Sequence, residues 1–307
     1  MPEQSILEEI ERAAGRKGVR EAPMARFVSF GCGGPAAFMI GAEEAGRLSA
    51  ILLVIEAHSL PWFVIGKGTN LLVADEGYHG IVIILSGKLR ECRAEGARLV
   101  CGAGASLPKA ARFAAETGLS GLEPLAYIPG TLGGAVAMNA GAHGSAIGDL
   151  VERVEVCGPG ERRELTRREL DFGYRTASLP PGMVLTGATL GLRPGDRQKI
   201  GQAMASFRRL RDETQPTARR TFGSVFRNPP GGSAGYLLER SGCKGLRRGG
   251  AEVSVDHANF IVNKGNAATA DVIDLMNVCR RRVAGRYGIF LQPEVKFLGG
   301  IGLEALR

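Results

Sequence analysis

The sequence predicts an α+β protein in three parts, 1–87, 88–194 and 195–307, with breaks near Gly87 and Pro194. Three observations predict it. Near the start, a helical pattern over 43–57 leads into short apolar strands at Trp62–Ile65 and 81–85, a β-α-β texture. After Pro194-Gly195 that texture changes. Near the end, a long helix from Thr269 sets Val272, Leu275, Met276, Cys279 and Val283 on one stripe.

The first helix is expected over 5–17. Ser5 and Glu8 form a capping-box pattern, and Leu7, Ile10 and Ala14 share one face. Further on, Ser106 with Pro108 opens another helix, for which Gly118 supplies the C-cap. Strands are expected near Leu99, over 151–157 and over 183–192. Beyond Pro194 come a helix over 196–211, a strand over 222–226 and a Pro-Pro-Gly-Gly loop at 229–232. Arg280, Arg281 and Arg282 fall in the last turns of the final helix, as dipole partners or surface groups.

Composition narrows the function classes. With 44% hydrophobic and 23% charged residues, the chain reads as an ordinary globular protein. The six cysteines (32, 92, 101, 157, 243 and 279) contain no C-x-x-C pair, and the four histidines are dispersed. Neither a metal site nor a disulfide framework is indicated, and the cysteines read as small buried hydrophobes in a reducing compartment. Met1-Pro2-Glu3 runs directly into an amphipathic helix with no signal-peptide pattern, and the longest apolar run, 50–55, is too short to span a membrane. A cytoplasmic protein is expected, with no membrane contact and no obligate protein partner. Net charge is +8, but the basic pairs Arg162-Arg163, Arg219-Arg220 and Arg247-Arg248 are scattered, and aromatics are only 6%. That texture fits small anionic substrates better than nucleic acid.

Glycine is the unusual component, at 45 residues, and two segments concentrate it. One is G-K-G-T-N-L-L-V at 66–73, directly after an apolar strand. The other is I-P-G-T-L-G-G-A-V-A-M-N-A-G-A-H-G at 128–144. Loops of small residues let successive backbone N–H groups converge on a phosphate oxygen. Each alone could be turn structure; two in one chain point to a bound dinucleotide. No P-loop is present, and Gly102-Ala103-Gly104 lacks the rest of the Rossmann fingerprint, with leucine at 107.

Six segments stand in a fixed order: the two glycine loops, F-G-Y-R at 172–175, G-S-V-F-R-N-P at 223–229, H-A-N-F-I-V-N at 257–263 and Q-P-E-V-K-F-L-G at 292–299. Over about 28–299 the chain resembles the UDP-N-acetylenolpyruvoylglucosamine reductase family. Only 48 residues separate Arg175 from Ser224, and no tyrosine lies between 176 and 235, so the resemblance is to the shorter subclass, without the tyrosine-loop insertion. Asp212 follows Arg211 where the family pairs basic residues, and 217–221 is unusually basic. Both departures bear on the diphosphate contacts.

The resemblance implies a two-part FAD-binding module of the p-cresol methylhydroxylase type over about 28–194, followed by an α+β substrate-binding domain whose segment around Glu294 returns to the flavin. It implies noncovalent FAD held by Gly66, Lys67, Gly68, Thr69, Asn70 and Leu71, and by Pro129, Gly130, Thr131, Gly133, Gly134, Ala137, Asn139 and Gly141. Its reaction is reduction of UDP-N-acetylglucosamine enolpyruvate by NADPH. Arg175 and Glu294 would stabilise the substrate carboxylate as charge spreads into it, Glu294 as a protonated acid of raised pKa. Ser224 would protonate the substrate carbon. Asn228 would orient that serine and bind substrate, with Tyr174 as a supporting substrate contact. Without the resemblance, Arg175 reads as a surface arginine, Ser224 as a strand turn and Glu294 as one carboxylate among many.

Overall fold

The computed structural model describes residues 2–216 and 220–305, so most of the basic 217–221 stretch lies outside the described residues. The chain forms two compact units. Unit 1 comprises Met1–Arg20, Phe38–Gly66 and Gly80–Leu210; unit 2 comprises Glu21–Ala37, Lys67–His79 and Arg211–Arg307.

Unit 1 begins with α1 (Gln4–Ala14), which packs on α2 (Ala45–Ala57). The expected capping box is not made. The helix starts at Gln4, so Ser5 is already inside the first turn, and Gln4 Nε2 instead donates to Glu8 Oε1 at 2.6 Å. Gly15, at φ +69°, ends the helix earlier than expected. Trp62–Ile65 pairs in parallel with Ile81–Ile84 of the strand Tyr78–Leu85. A parallel pair needs a crossover, so other chain must separate the two strands. A five-stranded antiparallel sheet follows, in the order Glu161–Thr166, Val151–Gly158, Val184–Gly191, Arg98–Gly102, Cys92–Glu95. α3 (Leu107–Glu116) and α4 (Leu132–Ala137) pack beside it. The core runs from Leu7 and Ile10 through Leu48 and Ile51 to Leu99 and Val154, all buried.

One sulfur expectation is corrected here. Cys92 and Cys101 face each other across adjacent antiparallel strands and are joined by a disulfide, with Cα atoms 4.1 Å apart. Strand register, invisible in the nine-residue spacing, brings them together. The other four cysteines are free and buried.

α5 (Arg197–Thr214) leads into unit 2, which contains α6 (Ala234–Arg240) and α7 (Thr269–Tyr287). Arg247–Arg248, Ala251–Val253 and Ile261–Asn263 make a small antiparallel sheet, and Leu71–Val73 pairs in parallel with Lys296–Leu298. The Phe30 and Phe222 rings meet at a tilt, centroids 5.0 Å apart, within a core that includes Phe226, Leu275 and Val283. The strand expected over 222–226 is two isolated bridges, Ser224 to Phe260 and Phe226 to Pro293. Arg280 is not a surface group. It is buried, with Nε donating to Leu291 O and Nη1 to Glu304 O, and so anchors the C-terminal segment. Arg282 donates instead to Gly242 O at 2.6 Å.

Candidate active site

In unit 1 the second glycine loop is stitched to the segment before α3. Leu132 N donates to Ala105 O and Gly133 N to Ala103 O, both at 2.8 Å. Thr131 caps α4, its Oγ1 accepting from Gly134 N at 3.2 Å. Close packing explains two of the glycines. A Cβ on Gly66 would sit 2.5 Å from Thr131 Oγ1, and one on Gly133 would sit 2.8 Å from Ala103 Cβ. Gly130, Gly133, Ala137, Asn139 and Gly141 are half-buried, while Pro129 and Gly134 are exposed. The loop therefore offers partly accessible backbone with few side chains in the way, which fits a flat dinucleotide such as FAD.

Arg175 belongs to the same unit. Its turn is closed by Gly173 N donating to Thr176 O at 3.0 Å, and its own φ is +59°, a left-handed conformation that arginine rarely adopts. Asn139 ties this turn to the glycine loop, Nδ2 donating to Gly173 O at 2.8 Å and Oδ1 accepting from Gly148 N at 3.0 Å. Arg175 Nη2 reaches Gly141 O at 3.4 Å, and its guanidinium lies 5.1 Å from the ring centroid of the exposed Tyr174. Strain held at such a position is a feature of functional sites.

Unit 2 carries Lys67, Gly68, Thr69, Asn70, Leu71, Ser224, Asn228 and Glu294. Gly68 is buried at φ +58°, and a Cβ there would lie 2.3 Å from Phe27 O. Leu71 is buried in its parallel strand, paired with Lys296. Ser224 and Glu294 are half-buried and lie on adjoining segments: Glu294 N donates to Val225 O at 2.8 Å, and Arg227 N to Gln292 O at 2.9 Å. Asn70 grips the second segment, Nδ2 donating to Glu294 O and its carbonyl accepting from Lys296 N, both at 3.1 Å. The exposed Asn228 accepts from Ala234 N at 2.9 Å, which ties its side chain to the start of α6.

Sequence reasoning assigned no role to two asparagines of the 257–263 motif. Asn259 holds Phe226, and Asn263 Nδ2 donates to Phe30 O at 2.9 Å while its Oδ1 accepts from Gly265 N and Ala267 N. The signal was available: amides in an apolar run are buried only when paired. Among the described residues, no cluster of His, Cys, Asp or Glu could hold a metal, and no helix is long and apolar enough to cross a membrane.

Comparison with known proteins decides the family. The profile described as UDP-N-acetylenolpyruvoylglucosamine reductase, C-terminal domain, matches residues 215–298, and that described as FAD binding domain matches 36–166. The UDP-N-acetylenolpyruvoylglucosamine reductase of Anaeromyxobacter sp. (strain Fw109-5) is 43% identical over 97% of this chain and 94% of its own length. The chain belongs to this reductase family. The Bacillus subtilis (strain 168) member is 38% identical over 97% of this chain and 99% of its own. A crystal structure of the family's reductase from Thermus caldophilus superposes with a TM-score of 0.81 at 39% identity, covering 92% of this chain and 98% of that one. The family's FAD-binding region thus spans both the parallel strand pair and much of the five-stranded sheet.

Proposed function

We propose that this chain reduces the enolpyruvyl double bond of UDP-N-acetylglucosamine enolpyruvate with NADPH, giving UDP-N-acetylmuramate for peptidoglycan precursor synthesis. The observation that carries this reading is membership of the reductase family over 97% of the chain. Bound FAD would supply the hydride transfer between NADPH and the vinyl carbon of the substrate. The loops 66–71 and 129–141 would hold it without a covalent bond. In this reading the FAD module covers about 28–194 and the substrate-binding domain 195–307.

The remaining chemistry falls to side chains. Addition of hydride to the vinyl carbon leaves negative charge on the neighbouring carbon and, through it, on the substrate carboxylate. Arg175 presents a planar cation to that carboxylate, and Glu294, as the protonated acid, donates a hydrogen bond to it. Ser224 gives its hydroxyl proton to the carbon. A serine is a weak acid, so the transfer proceeds only once a strong carbon base stands beside it. Asn228 and Tyr174 contact substrate. The enzyme works in the cytoplasm on small molecules, without nucleic acid or an obligate protein partner.

The test is direct. Purified protein is expected to be yellow, and acid denaturation to release all the colour into the supernatant. Initial rates should give parallel plots, because NADPH and the enolpyruvyl substrate use one pocket in turn, with excess enolpyruvyl substrate competing against NADPH. Colourless protein, or flavin retained by the precipitate, refutes the cofactor assignment. Intersecting plots refute the shared pocket.

A further inference from the structure

We infer that Asn259 is a positioning residue for the proton transfer, fixing the segment that carries Ser224. The inference rests on the role proposed for Ser224 above. Asn259 is 3% exposed, and its side-chain amide and backbone carbonyl serve the same short stretch of chain. Its Oδ1 accepts from Phe226 N at 2.9 Å and its Nδ2 donates to Phe226 O at 2.8 Å. Its backbone carbonyl accepts from Val225 N at 2.9 Å. One amide therefore takes the place of a whole strand neighbour for Phe226, two residues from Ser224. This is why the segment needs no regular ladder and is joined to its neighbours by two isolated bridges, Ser224 to Phe260 and Phe226 to Pro293.

Asn259 is itself held. Its backbone N–H donates to His257 Nδ1 at 3.1 Å, and the His257 ring packs edge-on against Phe260, with centroids 4.9 Å apart. On the far side of the Ser224 segment, Glu294 N donates to Val225 O. The residue that donates the proton and the residue that supports the carboxylate thus share one backbone frame, and Asn259 closes it. A hydroxyl that must meet a transient carbon base depends on sub-ångström placement, and a displacement of about 1 Å costs about 10²-fold in rate.

Asn259→Ala removes the clamp; Asn259→Asp keeps its size and the acceptor for Phe226 N–H, and stands in if the alanine variant does not fold. Each is made in the FAD-loaded enzyme, alone and with Ser224→Ala. The readouts are flavin content, amide exchange over 224–228, and the two half-reactions followed by flavin absorbance. The expected result is full flavin content, reduction by NADPH within about twofold of wild type and faster exchange at Phe226. Reoxidation by the enolpyruvyl substrate should slow about 10²-fold. In the Ser224→Ala background the same change should cost little more, since the two residues act as one unit. Unchanged reoxidation, equal slowing of both halves, or full additivity with Ser224→Ala overturns the inference. If Ser224→Ala alone reoxidises at the wild-type rate, the proposed role of Ser224 fails first, and Asn259 has nothing to position.

Discussion

Gly68 and Arg175 have nearly the same φ, +58° in one and +59° in the other, yet different residues fill the two places. Gly68 has no choice. Phe27 O lies where its Cβ would be, so crowding and left-handed backbone both demand glycine. Arg175 occupies the same disfavoured region with a long side chain, in a turn closed by its own hydrogen bonds and by Asn139. The cost of a left-handed non-glycine residue is about 1–2 kcal/mol. At Gly68 the fold avoids that cost, and at Arg175 it accepts it. Glu21, Ser59 and Asp171 also have positive φ, so the strain at Arg175 points to function only together with its place beside the glycine loop.

Ser224 sharpens the comparison, because it is absent from the chain's positive-φ positions and its removal should touch chemistry alone. Ser224→Ala is expected to leave flavin reduction by NADPH nearly intact. Reoxidation should slow by about 10²–10⁴-fold, or roughly 3–5 kcal/mol of barrier. Stopped-flow absorbance separates the two, and equal slowing would mean a folding or cofactor defect instead. Arg175→Gly comes next. It removes the strain together with the guanidinium, so thermal stability should hold or rise. Reoxidation should fall about 10²-fold or more, the worth of paired charge-assisted hydrogen bonds at about 1.5–3 kcal/mol each. Arg175→Lys should fall between, keeping strain and charge but losing the planar fork. A glycine variant that is both less stable and fully active would break the comparison.

Gly68→Ala is the mirror experiment. Left-handed strain plus the clash with Phe27 should cost about 2 kcal/mol or more of stability, seen as a melting point lowered by several degrees. Rates per bound flavin should change little; an alanine variant as stable as wild type would show that Phe27 yields. The smallest effect is expected from pH. Burial holds the His257 imidazole below its ordinary pKa of 6.5. As pH falls through 6.5, the unfolded chain takes up a proton that the folded chain resists, so this contribution is complete above that pH and lost below it. A backbone N–H can only donate, so Nδ1 must be unprotonated to serve Asn259. Melting temperatures at pH 7.5 and 5.5 should therefore diverge more in wild type than in His257→Gln.

Much of the fold was legible where the signal is local. The stripe of Val272, Leu275, Met276, Cys279 and Val283 marked α7, and all five are buried. The apolar run at 62–65 marked its strand, and the glycine loops marked their turns. What escaped notice is long-range. The Cys92–Cys101 pair depends on strand register, and Arg280 depends on a C-terminal segment that curls back to meet it. The 222–226 segment, expected as a strand, forms no regular one. Its partners are an asparagine side chain and single bridges from distant segments, which no periodicity announces. Asn70 is expected as an FAD contact in the first glycine motif; that its amide also grips the backbone of Glu294, far along the chain, is not legible in the motif.

The parallel pairing of Leu71–Val73 with Lys296–Leu298 sets a schedule for biosynthesis. Asp75, just after the first of these strands, also closes the start of α7, accepting from Thr269 N at 2.8 Å and Ala270 N at 2.9 Å. Both partners are made long after it. At about 5–20 residues per second, the apolar strand waits on the order of 10–50 s outside the ribosome before its neighbour exists. A nascent chain stalled short of residue 296 should therefore carry an exposed Leu-Leu-Val edge, a natural handle for a holding chaperone.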